Sequence, residues 1–244
     1  MLLLYYSYWG GMSMWQYVLL GVAFLLGIVA QTRVRGTYEK YKQIPAHTQM
    51  TGAQIARHIL DAHGLQDVEV VPGQGAELSD FYDPKRKLVS LSSNIYNTNS
   101  IAAVSVAAHE VGHAIQHATD YKFIAVRNQL LPMTIVASNL SMILIVVSFL
   151  FMSTGWGMSL FWVGIAMYGI VGLFQLVTLP VEFDASNRAL RNLEQMNLVQ
   201  AEDIVGSKKM LNAAAFTYVA AFLATVLNIL RLVLMVLGGG RRRN

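Results

Sequence analysis

Four stretches of this chain are each long and apolar enough to cross a bilayer, which takes about 20 mostly apolar residues per helix. They run from about Met14 to Ala30, Leu130 to Met152, Met158 to Leu179 and Ala213 to Leu237. The rest of the composition agrees: 55% of residues are hydrophobic and 13% charged, too apolar for an ordinary soluble domain. The first stretch is not a clean signal peptide, because its positive charges follow the apolar run instead of preceding it. The second and third are joined by the short uncharged loop Ser153-Thr154-Gly155-Trp156-Gly157, which predicts a helical hairpin. The fourth carries Asn228 and Arg231, costly in lipid, and is expected to tilt, break or pack against protein. The expected fold class is a mostly α membrane protein with about four transmembrane helices.

Charge placement sets an orientation. Arg33, Arg35, Lys40 and Lys42 follow the first stretch, and Lys122 and Arg127 precede the second. Arg188 and Arg191 follow the third, and Lys208 and Lys209 precede the fourth. All of these lie on one side of a four-span arrangement, facing an uncharged N-terminal segment and an uncharged hairpin loop. The polar segments are therefore expected on the cytoplasmic side. Arg241-Arg242-Arg243 at the C-terminus disagrees, and the majority of charges is taken to override it.

The longest polar segment contains His109-Glu110-Val111-Gly112-His113, an instance of H-E-x-x-H. Residues four apart on a helix lie one above the other, so His109 and His113 aim two imidazoles at one point. That spacing suits a tetrahedral zinc ion, and Glu110 beside it can take a proton from a water the metal activates. Ser100 is a good N-cap for the Ala-rich run from Ile101 to Ala108, which predicts a buried helix carrying the motif. Upstream, Asp83-Pro84-Lys85 signals a turn and Leu88-Val89-Ser90-Leu91-Ser92 a short strand. That strand could pair with an extended peptide or be purely structural.

A catalytic zinc takes three protein ligands and keeps an open position. His117 lies a further turn on, roughly 6 Å along the axis from His113, so it is read as a partly exposed or supporting histidine. Glu182, in Leu179-Pro180-Val181-Glu182-Phe183-Asp184-Ala185-Ser186, is the better third ligand. Pro180 suits a helix start, with Glu182 in its first turn at the membrane boundary. Asp184 competes, but it lies about 200° around a regular helix from Glu182, so the two cannot share one ion. The motif precedes the hairpin and Glu182 follows it; two crossings return the chain to the same side. With no cysteine in the chain, disulfides and thiolate zinc sites are excluded and the ligands are nitrogen and oxygen donors.

The remaining polar residues are less directive. Thr51-Gly52-Ala53-Gln54 resembles a capping box opening an amphipathic helix, with Ile55, Ile59 and Leu60 on one face and an end near Gly64. His47, His58 and His63 have no ligand partner at useful spacing. Asp67-Val68-Glu69-Val70-Val71 reads as a strand closed by Pro72-Gly73, and the glycines from Gly73 to Gly75 as a turn. Lys85-Arg86-Lys87 is a solvated turn. No repeat or nucleic-acid signature is present.

Together, the sequence around His109 and His113, Thr178 to Ser186, and Leu211-Asn212-Ala213-Ala214-Ala215-Phe216-Thr217-Tyr218-Val219-Ala220 resembles the YugP-type neutral zinc metallopeptidases of bacteria. The resemblance runs from about Thr51 to Leu237. It implies a membrane-integrated zinc peptidase in the bacterial plasma membrane, with His109 and His113 as zinc ligands and Glu110 as base. It also implies a small α+β zincin-like (gluzincin-type) domain around the motif helix. More distantly the chain is similar to HtpX-like membrane metalloproteases, whose E-x-x-A-D pattern supplies a third ligand and a supporting Asp. Here Glu182 matches the ligand, while Ser186 stands at the Asp position, so Ser186 or Asp184 takes the supporting part. The organisation expected is a membrane segment over 1–31, a cytoplasmic domain over 32–129, a hairpin over 130–179, a cytoplasmic helical segment over 180–212 and a final membrane segment over 213–244. The expected activity is hydrolysis of protein or peptide substrates drawn from the membrane, with Zn2+ as cofactor. Tyr218, Arg188 and Asn212 are chemically suited to steady an oxyanion. A zinc carrier or sensor would use the histidines without Glu110, and a non-catalytic scaffold would close the site with a fourth ligand.

Overall fold

The computed structural model describes residues 14–240. The segment before Met14 and the Arg241-Arg242-Arg243 cluster, both used in the orientation argument, lie outside the described residues. In chain order the elements are α1 (Met14–Tyr41), α2 (Gly52–Ala62), β1 (Glu69–Pro72), β2 (Phe81–Asp83), β3 (Leu88–Leu91) and α3 (Ser93–Tyr96). They continue with α4 (Ile101–Ala118), α5 (Lys122–Leu150), α6 (Gly155–Gln195) and α7 (Ala201–Gly240).

Helices α1, α5, α6 and α7 are long and apolar enough to cross a membrane, and fewer than a quarter of the residues in each apolar stretch are buried by protein. Trp15, Phe24, Leu25, Ile143 and Val163 are exposed apolar side chains on these stretches. Uncovered apolar surface of this extent needs lipid or another partner to cover it. Each of these helices runs past its apolar stretch into polar sequence. Helix α7 passes unbroken through Asn228 and Arg231, and the Asn228 amide donates to the Ala224 carbonyl at 3.0 Å.

One expectation is overturned at Pro180, which starts no helix. It lies inside α6, which is continuous from Gly155 to Gln195. Proline removes one intrahelical donor, a loss that membrane-type helices tolerate when neighbouring groups take up the backbone. The acceptor that the missing N–H leaves is the Leu176 carbonyl; separately, the Pro180 carbonyl accepts from the Tyr121 hydroxyl at 3.4 Å and the Val181 carbonyl from Gln116 Nε2 at 2.8 Å.

The chain divides into two compact units. The first comprises the residues up to Ala30, Asn128–Leu176 and those from Tyr218 onward. Its small buried centre is Ile145, Phe161 and Leu232. The second comprises Gln31–Arg127 and Val177–Thr217 and holds a larger apolar core.

Local chemistry explains the second unit. Thr51 Oγ1 accepts from the Gln54 backbone N–H at 3.4 Å, and Gln54 Oε1 accepts from the Thr51 N–H at 2.8 Å, the reciprocal capping box that starts α2. Gly64, at φ +74°, ends it. Ile55, Ile59 and Leu60 are fully buried against α4, whose own start is fixed by Ser100 Oγ accepting from Ala103 N at 3.1 Å. The His47 ring and backbone N–H both meet the Asp203 carboxylate, at 3.0 and 2.8 Å, and Asp203 also accepts from Gln200 N at the start of α7.

The sheet has the order β1-β3-β2, with β1 parallel and β2 antiparallel to β3. Asp83 Oδ1 accepts from the backbone of Lys85 and Arg86, closing the turn from β2 into β3. Strand β2 is absent from the sequence expectation, and its presence makes β3 central and buried. Both ladders of β3 are occupied, so an incoming peptide cannot pair with it; the outer edges belong to β1 and β2.

Candidate metal centre

Helix α4 presents His109 and His113 on one face, their rings edge to face with centroids 4.8 Å apart. Glu182 reaches them from α6. Its Oε2 lies 3.4 Å from His109 Nε2 and 3.7 Å from His113 Nε2, and its side chain is only 4% exposed. All three donor atoms lie within 4.8 Å of one another. Ligands about 2.05 Å from a tetrahedral ion stand about 3.3 Å apart, so a modest contraction would close these donors on one cation.

The close approach of the two helices is set by Gly112. A Cβ there would lie 2.6 Å from the Ala185 carbonyl oxygen and 3.2 Å from its Cα. Ala185 is itself fully buried. A residue with no side chain on α4, opposite one with a single methyl on α6, lets the backbone carrying Glu182 come within reach of the histidines.

Each imidazole is held from behind. Gln116, fully buried, donates from Nε2 to the Val181 carbonyl at 2.8 Å and to Asp184 Oδ2 at 2.9 Å. Both partners are acceptors, which fixes the amide orientation and leaves Oε1 to face His113 Nδ1 at 3.0 Å. His113 Nδ1 must then be the donor, which places the free lone pair on Nε2, toward Glu182. Asp184 in turn accepts from Arg188 Nε at 2.6 Å. His109 Nδ1 meets Ser186 Oγ at 3.2 Å. Ser186 therefore backs His109, while Asp184 backs His113 through Gln116. Gln116 is missing from the sequence reading. Its place three residues after His113, on the same helix face, is the one signal that could have found it.

The electrostatics separate the four central groups. Burial pushes His113 down to about 4, with His109 adding to the effect, so His113 is neutral at physiological pH. Burial pushes Glu110 up to about 7; His109 works against the rise, while Glu182 and Asp80 add to it. The Tyr82 backbone works weakly against the rise. For His109 burial opposes the charged form, but Glu182 and the Glu110 charge together outweigh it and hold the ring's pKa above the ordinary imidazole value.

The other candidates fall elsewhere. His117 is half-buried against the Tyr82 ring, centroids 5.6 Å apart, and is not among the converging donors. The Arg188 guanidinium is committed to Asp184 and lies over the Tyr121 ring. Asn212 lines a different cavity, and Tyr218 belongs to the first unit.

A supporting hydrogen bond of this kind is worth 10- to 100-fold in metal affinity or activity. Gln116→Leu is accordingly expected to weaken zinc binding by roughly that factor, read by competition with a chromogenic chelator. Unchanged affinity would remove Gln116 from the site.

Two imidazoles and one carboxylate, buried together beside a second carboxylate, define a candidate mononuclear metal centre with a nitrogen–oxygen donor set that fits zinc. Residues 16–237 match the family described as "Putative neutral zinc metallopeptidase". The chain is also 41% identical over 224 residues to a Bacillus subtilis (strain 168) protein named "Putative membrane protease YugP", covering 91% of this chain and 97% of that relative. No solved structure matches it. The chain belongs to the neutral zinc metallopeptidase family.

Proposed function

We propose that this protein is a membrane-integrated zinc metalloprotease that hydrolyses peptide bonds of membrane or membrane-proximal proteins at the cytoplasmic face. The observation that carries the reading is the convergence of His109, His113 and Glu182 in one buried cluster beside Glu110. Helix α4 packed on a small mixed sheet supports a zincin-like domain. The cytoplasmic assignment rests on the one-sided placement of Arg33, Arg35, Lys40, Lys42, Lys122, Arg127, Arg188, Arg191, Lys208 and Lys209.

His109 Nε2, His113 Nε2 and Glu182 Oε2 would hold the ion. Zinc, when bound, polarises a water and the scissile carbonyl and lowers the barrier to their union. Glu110 takes the proton of the attacking water and delivers it to the leaving amine. Its carboxyl, raised to about 7, is balanced between accepting and returning a proton near neutral pH. Gln116 and Ser186 keep the two rings from rotating. An extended substrate would align along the outer edge of β2, an edge strand in contact with the motif helix α4.

The test compares zinc-loaded wild type with zinc-loaded Glu110→Gln on an unfolded membrane-protein substrate, reading new termini by mass spectrometry. General base catalysis contributes about 10²- to 10⁴-fold, so the variant is expected to retain zinc and lose activity by that factor. Equal cleavage by both would remove Glu110 from the mechanism. A variant that retains transport of zinc but never cleaves, alongside a wild type that behaves the same, would favour a carrier.

A further inference from the structure

A cavity in the unit that holds the metal centre has a different chemistry. It encloses about 490 Å³ and is lined by Arg33, Gly36, Thr37 and Lys40 on one face of α1 and by Lys209 and Asn212 on α7. Three cations face one hollow, and no carboxylate among the described residues lines it. The Arg33 guanidinium carbon lies 5.3 Å from the Phe216 ring centroid, a cation–π contact that leaves its N–H groups chemically able to donate. Lys40 and Lys209 are exposed, and neither has a carboxylate within ion-pair distance among the described residues. Asn212 adds an uncharged donor. This is the recognition set of a phosphate ester: a planar fork, point charges and an amide.

The cavity's place in the chain selects the source of that phosphate. Ala30 closes the apolar run of α1, and Arg33 stands about 4.5 Å further along the helix. Asn212 immediately precedes the apolar run of α7 that begins at Ala213. Headgroup layers are roughly 5–7 Å thick on each side of the hydrocarbon, so both rims of the cavity fall at headgroup depth when these helices span. We propose that this cavity binds the phosphate of an anionic glycerophospholipid. The inference rests on reading the apolar helices as membrane-embedded and is independent of hydrolysis at the metal centre.

The full chain, purified in neutral detergent, is exchanged into phosphatidylcholine micelles containing graded phosphatidylglycerol, and the lipid retained per chain is measured by mass spectrometry. Wild type is expected to retain phosphatidylglycerol in preference to phosphatidylcholine. Basic residues near a membrane surface each contribute enough that Lys40→Gln with Lys209→Gln should weaken retention about thirtyfold. Gly36→Leu should weaken it without changing charge: a Cβ at Gly36 meets nothing within 4 Å, so the larger side chain fills the hollow and leaves the packing alone. Lys85→Gln with Arg86→Gln, an equal loss of charge on an exposed turn, should leave retention unchanged. Retention that falls equally in that control, or that survives both cavity variants, overturns the proposal. Displacement by inorganic phosphate at the same concentration as lipid overturns it too, by assigning the cavity to a soluble ligand.

Discussion

Glu182→Gln is expected to lose zinc and, with it, all hydrolysis. The carboxylate supplies the anionic donor opposite two neutral imidazoles, and an amide oxygen in the same place carries no charge. The loss should exceed the roughly 100-fold associated with a supporting hydrogen bond, because a direct donor is removed. Metal content by atomic emission and cleavage by mass spectrometry read the two effects separately. Asp184→Asn is the informative companion. Since Asp184 faces Gln116 and Arg188, it should retain zinc at reduced affinity. If Asp184→Asn lost the metal and Glu182→Gln kept it, the assignment of the third donor would be reversed. The pH dependence has a definite sign. Burial opposes a charge on His109, but Glu182 and Glu110 together outweigh it, so the metal-free ring keeps its proton to higher pH than a free imidazole. Zinc must displace that proton. Its affinity is therefore full above His109's raised pKa and declines as pH falls through it, beginning at higher pH than ordinary histidine would imply.

Gly112→Val should be equally severe by a different route. The atoms that a Cβ would meet are the Ala185 carbonyl oxygen, carbon and Cα, all backbone, so no change of rotamer relieves the clash. Helices α4 and α6 must separate. Ala185 lies between Glu182 and Ser186, so the separation carries both away from the histidines. Overpacking of this sort costs about 1–3 kcal/mol in stability. A displacement of 1 Å at a catalytic site costs on the order of a hundredfold in rate. The expected outcome is a lowered Tm together with loss of zinc, with Gly112→Ala intermediate. A valine variant that melted early yet bound zinc with unchanged affinity would show that this contact supports the fold without positioning the site.

The sequence carried the long helices and the motif helix clearly, because their signals are local. Twenty apolar residues need no distant partner to be read, and Ser100 ahead of an Ala-rich run marks a helix start wherever the helix later packs. Pro180 misled for the same reason: a proline at the edge of an apolar run reads as a first turn. The helix nevertheless runs through it to Gln195, and its next turn is tied by hydrogen bonds from Tyr121 and Gln116, residues distant in sequence, to the Pro180 and Val181 carbonyls. Strand β2, three residues long, has no pattern of its own and exists through its pairing with β3. Gly112 occupies a variable position of H-E-x-x-H, and only the neighbouring helix makes its missing side chain necessary. Gln116 is the same case for hydrogen bonding, since its partners lie 65 and 68 positions away.

The order of the site residues along the chain has a consequence for the cell that makes it. Synthesis completes the two imidazoles first, and the apolar hairpin is translated before Glu182 and Ser186, the latter 77 positions after His109. A nascent chain therefore carries two of the three candidate donors before the third is made. The missing carboxylate arrives only after the hairpin has been made. Assembly of the candidate metal centre therefore cannot precede translation of the hairpin.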